Sequence, residues 1–573
     1  MSLAEKYELI NKNNDYKSNN LLNDILKLKG VENPNKYLNL SRDDTYSYKN
    51  LDDIDKAVEC LLRHIEEGND IYIQVDNDTD GITSSAALYN YLKRSCDNTI
   101  YYNMQKGKGH GVDLKTIPKT VKLVIIPDAG SNQIEEHKEL KEKNIDVIVL
   151  DHHICDIKSE YVIIVNNQLS EKYYNKDLSG VGVVYKFLQA LDEELWQDFA
   201  DDYLDLVALG NIADMMDIKS CETKYYIDEG LRNIKNEMFK ELIYKQSYSM
   251  GGKVNINNIA FYIAPCINSL IRCGTQEDKI MLFEAFANID IDRKFTYKSK
   301  KKETKGDIVE ENLYEHMARI CTNSKSRQNR MKEKYRKEII ENIKKYNLQN
   351  NKIIIYNATN KIDKNMTGLM AMDVANIYNR PCLMLRKSKK DLFAGSGRNV
   401  DSYEIPSLKK FLQHTNLIKD VQGHDNAHGI RIFKSNIRGL IKEANNQLKD
   451  IRFKKGIDFK IPFDELTDDF ILIVDGMRDL WGQGLKESLI YIENVYVEKE
   501  NIKLIGKNKN TISFTTEDIN FIKFFENEET YNNLINGNCE KTIIDIIGTC
   551  EVNTYNSRES LQIKIKDFEI KNI

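Results

Sequence analysis

Short apolar stretches alternate with segments of helical periodicity in the part of the chain that follows residue 50. The stretches are continuous and rich in Val and Ile, which is typical of strands buried on both faces of a parallel sheet. Between them apolar residues recur at helical spacing, as in residues 57–65, before Gly68 ends that helix. The pattern predicts an α/β fold with strands at 71–75, 99–103, 122–127, 146–150 and 161–165, and helices at 82–95 and 132–143.

Acidic residues and histidines follow these predicted strands directly. In open α/β sheets, ligands bind at the carboxyl ends of the strands. A further acid lies in "LVALGNIADMMDI", a mostly apolar segment with helical character. We therefore expect side chains from four separate segments to meet at one edge of the sheet, namely Asp76, Asp78 and Asp80; Asp128; Asp151, His152 and His153; and Asp214.

Two simpler explanations of these acids need to be weighed. The stretch "DNDTDG" matches the start of an EF-hand calcium loop, but Ala87 occupies the twelfth position, where that loop needs a glutamate. A single acid after a strand, such as Asp128, is most often a helix N-cap. Convergence of four segments favours metal binding instead. Asp and His ligands without Cys suit Mn²⁺ or Mg²⁺, and two ions about 3.5–4 Å apart can promote phosphoryl displacement.

The composition narrows the class of protein. The chain has 573 residues, with 83 Lys and Arg against 88 Asp and Glu, so any attraction to nucleic acid must come from local charge. Hydrophobic residues make up 41%, enough for several packed cores. The ten cysteines include no C-x-x-C pair, which argues against a disulfide framework and a zinc ribbon. With no apolar signal core or membrane span, we expect a cytoplasmic protein.

Four motifs in order resemble the DHH phosphoesterase superfamily: "DNDTDG" (76–81), "DAG" (128–130), "DHH" (151–153) and "NIAD" (211–214). Within it the chain is most similar to RecJ-type single-strand-specific 5′-to-3′ exonucleases. "LSGVGVVYKFL" (178–188) and "APCINSLIRCG" (264–274) resemble two further segments of that type. Superfamily members often carry a histidine four residues before the Asp-x-Asp pair, where this chain has Gln74.

The resemblance implies roles for individual residues. Implied metal ligands are Asp78, Asp80, Asp128 as the bridging carboxylate, His152 and Asp214, with Asp76 as a further candidate. Asp78, Asp80, Asp128, His152, His153 and Asp214 form the implied catalytic set. His153 is placed to touch the scissile phosphate or, equally, to support the site. Implied substrate contacts are Asn268, Arg272, Arg398 and His424, for which an internal ion pair (Arg272) and a solvated surface position (Arg398) are the alternatives.

The later part of the chain resembles the other domains of such enzymes. Residues 368–385, "GSGR" (395–398) and "GHDNAHG" (423–429) are similar to a DHH-associated domain. "DLWGQG" (479–484) and residues 546–570 resemble a C-terminal OB-fold, whose basic grooves bind single strands. The predicted parts are an N-terminal lead-in (1–50), a doubly wound parallel-sheet DHH domain (51–225), a helical connector (226–345), a mixed α/β DHH-associated domain (346–450) and an OB-fold β-barrel (451–573).

These features predict a hydrolase that degrades single-stranded DNA from its 5′ end to mononucleotides with two Mn²⁺ or Mg²⁺ ions. The resemblance implies a monomer that works in DNA repair and recombination, with a helicase or a single-strand-binding protein as possible partner and no membrane. One alternative is a DHH phosphodiesterase acting on short oligonucleotides or cyclic dinucleotides, although such proteins generally need only the two DHH-type domains. The other is a non-catalytic DHH scaffold in replication or repair, but those typically lose several acids.

Overall fold

The chain is divided into two units by the contacts between its residues. A computed structural model describes residues 2–105, 110–300, 304–400, 405–536, 540–555 and 558–571. No helix among these described residues is both long and apolar enough to cross a lipid bilayer. Unit 1 comprises Met1–Leu28, Arg327–Arg478 and Glu487–Ile573, and unit 2 comprises Lys29–Ser326 and Asp479–Lys486.

Helices and strands alternate along most of the chain. The helices are α1 Leu3–Lys6, α2 Leu21–Leu28, α3 Pro34–Tyr37, α4 Ile54–Glu66, α5 Thr79–Ser95, α6 Ile134–Glu142, α7 Gly180–Leu195, α8 Leu204–Ala213, α9 Cys221–Arg232, α10 Glu237–Gln246, α11 Ile256–Asn258, α12 Ala264–Cys273, α13 Gln276–Phe286, α14 Leu313–Lys345, α15 Thr367–Tyr378, α16 Leu408–His414, α17 Ile437–Gln447, α18 Asp468–Gly476 and α19 Glu528–Ile535.

The strands are β1 Tyr7–Leu9, β2 Asp70–Val75, β3 Ile100–Met104, β4 Val121–Pro127, β5 Asp146–Asp151, β6 Ile163–Asn166, β7 Phe295–Lys298, β8 Ile308–Glu311, β9 Ile354–Asn357, β10 Cys382–Lys389, β11 Leu392–Arg398, β12 Asp420–His424, β13 Ala427–Phe433, β14 Lys455–Ile457, β15 Phe459–Pro462, β16 Ile490–Glu498, β17 Lys503–Ile505, β18 Thr511–Thr516, β19 Ile519–Phe524, β20 Lys541–Tyr555 and β21 Arg558–Lys571.

A five-stranded sheet of order β3-β2-β4-β5-β6 forms the centre of unit 2, and all its strand pairs are parallel. Its strands are those that the apolar stretches predict. The chain passes from β2 outward to β3 and then returns to β4 on the other side of β2. The carboxyl ends of β2 and β4 therefore lie at a topological switch point, where open α/β sheets bind their ligands.

Helices cover both faces of this sheet, which explains its unbroken apolar strands. Every residue of β4 except Lys122 is buried. Leu140 of α6 packs with Val124 and Val149 on one face. Helix α5 contacts strands β2 and β4, and helix α7 contacts strands β4 and β5. Strands buried on two faces need apolar side chains at successive positions, so the alternation typical of half-buried strands is missing here.

Unit 1 contains two larger sheets. The first has the order β12-β13-β11-β10-β9, in which only the β10–β9 pair is parallel. The second has seven strands in the order β15-β16-β20-β21-β19-β18-β17. In β21, Gln562, Ile563 and Ile565 are buried and Lys566 is exposed.

Two segments pack far from their sequence neighbours. Strand β1, near the N-terminus, pairs in parallel with β14, so the first residues join the C-terminal part of the chain. Residues 479–484, which resemble part of the OB module, instead lie in unit 2, where Gln483 accepts a hydrogen bond from the Ile218 amide at 3.0 Å and Trp481 is buried. The predicted five-part division of the chain stays a prediction.

Candidate active site

The loop after β2 presents its three aspartates through the start of helix α5. Asp78 caps this helix, because its Oδ1 accepts a hydrogen bond from the Gly81 amide at 2.8 Å. Asp80 lies in the first turn and is buried. A carboxylate in the first turn is favoured by the positive end of the helix dipole. The three acids thus lie close together because strand β2 passes directly into helix α5 in this stretch.

Asp80 is also held by a second helix. Its carboxylate accepts hydrogen bonds from Ser179 Oγ at 3.0 Å and from the amides of Gly180 and Val181 at 2.6 and 3.2 Å. These amides belong to the N-terminus of α7, where backbone N–H groups lack helical partners and readily bind anions. The segment "LSGVG" therefore fixes the position of Asp80.

Two glycines let the backbone come close to the acids. A Cβ atom on Gly180 would lie 2.5 Å from the Cβ of Asp128 and also collide with its Oδ1. A Cβ on Gly210, in α8, would collide with Oδ1 of Asp80 and lie 2.8 Å from Thr83 Oγ1. Contacts under 3.0 Å are not tolerated without a shift of the neighbour. Only glycine fits at these two positions, because the carboxylates occupy the space of a side chain.

Strands β4 and β5 deliver the remaining groups. Asp128 follows β4 with a left-handed backbone (φ 61°) and donates its amide to the Leu150 carbonyl at 2.8 Å. At the end of β5, Asp151 Oδ1 accepts hydrogen bonds from the His152 amide at 2.7 Å and from the His153 amide at 3.1 Å. His153 also donates from Nδ1 to the same oxygen at 2.8 Å. Asp151 therefore orients the turn that carries both histidines.

His152 lies at the centre of a cluster of carboxylates. Its Nε2 is 3.2 Å from Asp128 Oδ1, 3.4 Å from Asp214 Oδ2 and 3.9 Å from Asp80 Oδ2. Asp214 comes from the C-terminal end of α8, whereas the other three follow strands. The side chains of His152, Asp80 and Asp128 are at most 3% exposed. The structure thus brings together the four sequence segments that were expected to meet.

Crowding of these acids changes their proton affinity. Burial, and then repulsion by Asp80 and the other aspartates of the site, raises the pKa of Asp128 well above its usual range. Burial and the charge of Asp78 raise the pKa of Asp80 to about 6. Asp214 shifts in the same direction, from burial and the charge of Asp80, so its pKa is also well above the ordinary value. A bound cation would offset the mutual repulsion of these carboxylates.

Asp151 behaves in the opposite way. Burial acts to raise its pKa, but the adjacent His153 and His152 and a hydrogen bond from Ser131 hold the pKa of this carboxyl well below its usual range. Burial opposes the charged form of His153, yet Asp151 raises the pKa of that imidazole to about 10. Asp151 and His153 therefore form a stable ion pair beside the cluster of repelling acids.

The chemistry of the donor atoms fits divalent cations. One ligand atom each from Asp80, His152 and Asp214 lie within 4.8 Å of one another. The same holds for the group of Asp128, Asp151, His152 and His153, and for the group of Asp76, Asp78 and His110. Carboxylate oxygens with imidazole nitrogens and no thiolate are the ligands that Mn²⁺ and Mg²⁺ accept. The geometry can therefore hold more than one such ion.

The expected substrate contacts fall into two groups. Asn268 and Arg272 lie on α12 of unit 2, where Asn268 Oδ1 accepts a hydrogen bond from Thr79 at 3.1 Å. The Arg272 side chain is exposed, yet loss of solvation lowers the pKa of its guanidinium, and the charge of Asp78 acts in the opposite direction. Arg398 and His424 lie in unit 1 on β11 and β12, both in register with the same residue of β13. The sheet of unit 1 thus brings Arg398 and His424 to one end.

Sequence reasoning missed one member of the site and left another without a role. Asp151 was expected at this edge of the sheet, but not that it holds both histidines in place. His110 was not considered, although its Nδ1 donates to Asp76 Oδ2 at 2.7 Å, a bond that raises the pKa of the imidazole to about 9. The signal was present: His110 lies between glycines in "GHG", shortly after the end of β3 at the same edge of the sheet.

Comparisons with known proteins agree with this architecture. A sequence model described as "DHH family, N-terminal domain" matches residues 70–211. Another, described as "RecJ OB domain", matches residues 457–567. The first match spans the parallel sheet and three of the four groups of site residues and ends at Asn211, shortly before Asp214, and the second covers most of the seven-stranded sheet.

Several relatives extend the likeness to nearly the whole chain. The chain is 40% identical, over 99% of its length and 98% of the relative's, to a Bacillus subtilis protein that carries the name "Putative SPbeta prophage-derived single-strand DNA-specific exonuclease YorK". It is 24% identical to the single-stranded-DNA-specific exonuclease RecJ of the same organism, over 94% of this chain and 66% of that protein. The crystal structure of RecJ in complex with Mn²⁺ from Thermus thermophilus matches with a TM-score of 0.66 at 18% identity, covering 91% of this chain and 72% of that one. The predicted fold class is confirmed.

Proposed function

Since this chain belongs to the DHH family and joins a DHH domain to a RecJ OB domain, we propose that it is a metal-dependent exonuclease specific for single-stranded DNA. Degradation starts at the 5′ end and releases mononucleotides by hydrolysis of one phosphodiester bond at a time. The observation that carries the proposal is the meeting of Asp80, Asp128 and Asp214 within 3.9 Å of the His152 imidazole.

Two divalent cations, Mn²⁺ or Mg²⁺, are the proposed cofactors. When bound, such a pair of ions activates the attacking water and offsets the charge of the transferring phosphoryl group. Asp128 is the proposed shared ligand, the role that the resemblance implies for it, and its carboxylate lies 3.2 Å from His152 Nε2. The remaining proposed ligands are Asp76, Asp78, Asp80, His152 and Asp214.

Neighbouring side chains hold the site and the substrate phosphate. The amides at the start of α7 keep Asp80 in place, and Asp151 keeps the His152–His153 turn in place. Because Nδ1 of His153 donates to Asp151, Nε2 is the ring nitrogen proposed to donate to a phosphate oxygen, and the side chain is 37% exposed. Arg272, exposed beside Asp78, is the proposed contact to the 5′-terminal phosphate.

Unit 1 supplies the proposed contacts to the rest of the strand. Arg398 and His424 lie together at one end of a sheet and are suited to bind a phosphate. Asn268, in unit 2, is proposed to position the terminal nucleotide. The OB domain is proposed to bind the single strand by its basic face and by stacking of bases.

We propose a monomer that works in the cytoplasm in DNA repair or recombination, beside a helicase or a single-strand-binding protein.

A digestion of labelled DNA tests the activity. Single strands labelled at the 5′ or the 3′ end, the corresponding duplex and a dinucleotide are incubated with Mn²⁺ or with EDTA. We expect early release of labelled mononucleotide from the 5′ end of the single strand, no degradation in EDTA and little of the duplex. Asp128→Ala and His152→Ala are expected to lower the rate by on the order of 10²–10³-fold or more while single strands still bind.

Controls separate the alternatives. His414→Ala, an exposed histidine in unit 1, is the matched variant and is expected to retain full activity. Preferential cleavage of the dinucleotide would favour the short-oligonucleotide phosphodiesterase instead. Absence of both Mn²⁺ uptake and cleavage by the unmodified protein would favour the scaffold, and full activity of either active-site variant would refute the site.

A further inference from the structure

Gln74 occupies the position where the resemblance to the DHH superfamily implies a histidine, and both polar atoms of its side-chain amide form hydrogen bonds. Its side chain is buried at the end of β2. Oε1 accepts a hydrogen bond from the Asp113 amide at 3.0 Å, and Nε2 donates to the Asn103 carbonyl at 3.0 Å. Gln74 therefore ties β3 to the segment 110–113 and is not available to the cation site.

The segment that Gln74 anchors carries His110. The Gly111 carbonyl accepts from Gln105 Nε2 at 2.8 Å, and the Val112 amide donates to Gln133 Oε1 at 2.6 Å. Gly111 has φ +81°, and a Cβ atom there would collide with Gln133. A backbone that is hydrogen-bonded on several sides and permits only glycine holds the neighbouring imidazole in one place.

His110 and Asp76 repeat an arrangement found elsewhere in the site. Asp76 is 1% exposed, and its two oxygens accept from His110 Nδ1 at 2.7 Å and from the Gly111 amide at 3.2 Å. Asp151 holds His153 in the same way, at 2.8 Å from Nδ1 to Oδ1. Histidines that bind a metal usually donate their other ring N–H to a carboxylate, which sets the tautomer and the ring orientation.

We propose that His110, oriented by Asp76, is a metal ligand on the Asp78 side of the site and supplies the imidazole that Gln74 does not. Ligand atoms of Asp76, Asp78 and His110 lie within 4.8 Å of one another, and the His110 side chain is 63% exposed. A cation binds Nε2 in place of a proton. In this assignment Asp76 is a positioning residue in place of the ligand role proposed above, because its two oxygens accept from His110 and the Gly111 amide. The inference rests on the proposed two-cation site.

Metal binding measured apart from activity tests this assignment. Mn²⁺ is titrated calorimetrically into the full-length metal-free protein and its variants, and pulsed electron paramagnetic resonance records the nitrogen nuclei coupled to bound Mn²⁺. We expect His110→Ala to weaken one Mn²⁺ by about 10–100-fold and to remove one of two imidazole couplings, the other being that of His152. Asp76→Asn is expected to weaken the same ion while the coupling remains. His414→Ala is the matched control, and circular dichroism checks that each variant is folded.

The outcomes separate this inference from the proposed function. If the unmodified protein binds no Mn²⁺, the two-cation site itself is refuted. If it binds Mn²⁺ and His110→Ala keeps both the affinity and the couplings, only the role of His110 is refuted. Unchanged Mn²⁺ binding with weaker binding of a 5′-phosphorylated single strand would make His110 a substrate contact and would equally overturn its assignment as a ligand.

Discussion

Asp128 combines a left-handed backbone, with φ 61°, and a carboxylate that is 1% exposed. Neither feature favours folding, since a non-glycine residue in this region is strained and a buried charge is costly. Both features bring the carboxylate to the switch point between β2 and β4, next to His152. At the scale of single residues, the site is therefore a place where folding stability is sacrificed to concentrate negative charge.

Asp128→Asn is expected to stabilise the metal-free protein at pH 8. The folded-state pKa of Asp128 is raised above its unfolded value, so folding favours the protonated form and the cost of the charge grows as pH rises through the folded pKa. The advantage of the variant, about 1–3 kcal/mol at pH 8, should shrink towards pH 4. Urea denaturation in EDTA at several pH values measures it.

Two comparisons make the stability test decisive. Asp97→Asn, at an exposed position in the same unit, should follow the unmodified protein at every pH. Added Mn²⁺ should stabilise the unmodified protein more than Asp128→Asn, because the variant lacks a ligand. A variant that is less stable than the unmodified protein at pH 8 in EDTA would show that Asp128 is not a repelled carboxylate.

At the scale of elements, the N-terminus of helix α7 holds the acids of the site in position. Its first amides bind Asp80, and its first residue, Gly180, lies against Asp128. Helix α8 approaches the same acids through Gly210 and ends at Asp214. In these contacts α7 and α8 use backbone amides and glycines, which carry no net charge. The two helices therefore fix where the carboxylates that follow β2 and β4 lie.

Gly180→Ala is expected to disturb the site without changing any charged group. The added Cβ would lie 2.5–2.7 Å from the Cβ and Cα atoms of Asp128, so the backbone of one element must shift. We expect a loss of about 1–3 kcal/mol in the free energy of unfolding and at least a tenfold weaker Mn²⁺ affinity. Gly476→Ala is the control, since nothing lies within 4 Å of its Cβ position. Unchanged Mn²⁺ affinity in Gly180→Ala would contradict this role of α7.

At the scale of the whole molecule, the N-terminal residues complete a domain formed by the other end of the chain. Strand β1 pairs with β14, and the buried Leu3 packs with Ile457 and Ile547. Lys6 also pairs with Asp567 at 2.8 Å. The first 28 residues of the predicted lead-in (1–50) thus belong to unit 1, whereas residues 29–50 belong to unit 2.

Leu3→Ala is expected to destabilise unit 1 selectively. Truncation of a buried leucine leaves a cavity beside Ile457 and Ile547, at a cost of about 2–5 kcal/mol. Hydrogen exchange followed by mass spectrometry should show faster exchange in β14, β20 and β21, with β2, β4 and β5 unchanged. Ile10→Ala, at a side chain that is 38% exposed, is the control and should have little effect. Equal acceleration in both units would contradict a local role.

Most of unit 2 could be predicted from the chain alone because its information is local. A strand buried on two faces is recognisable by its continuous apolar composition, and the acid or histidine that follows it marks the carboxyl edge, as for Asp80, Asp128 and His152. Asp214 was found through its motif. His110 escaped because no apolar strand or motif precedes it directly, and only the hydrogen bonds of residues 110–112 to Asp76, Gln105 and Gln133 reveal its place in the site.

Periodicity and motif order by themselves determined the parallel sheet, the family and the acids of the site, because each depends on residues near one another in the chain. Tertiary structure alone decided that α7 holds Asp80, that the first strand joins the last domain, and that His110 meets Asp76. These are pairings of residues that are distant along the chain, and their free energy depends on which backbones come close, which no local pattern encodes.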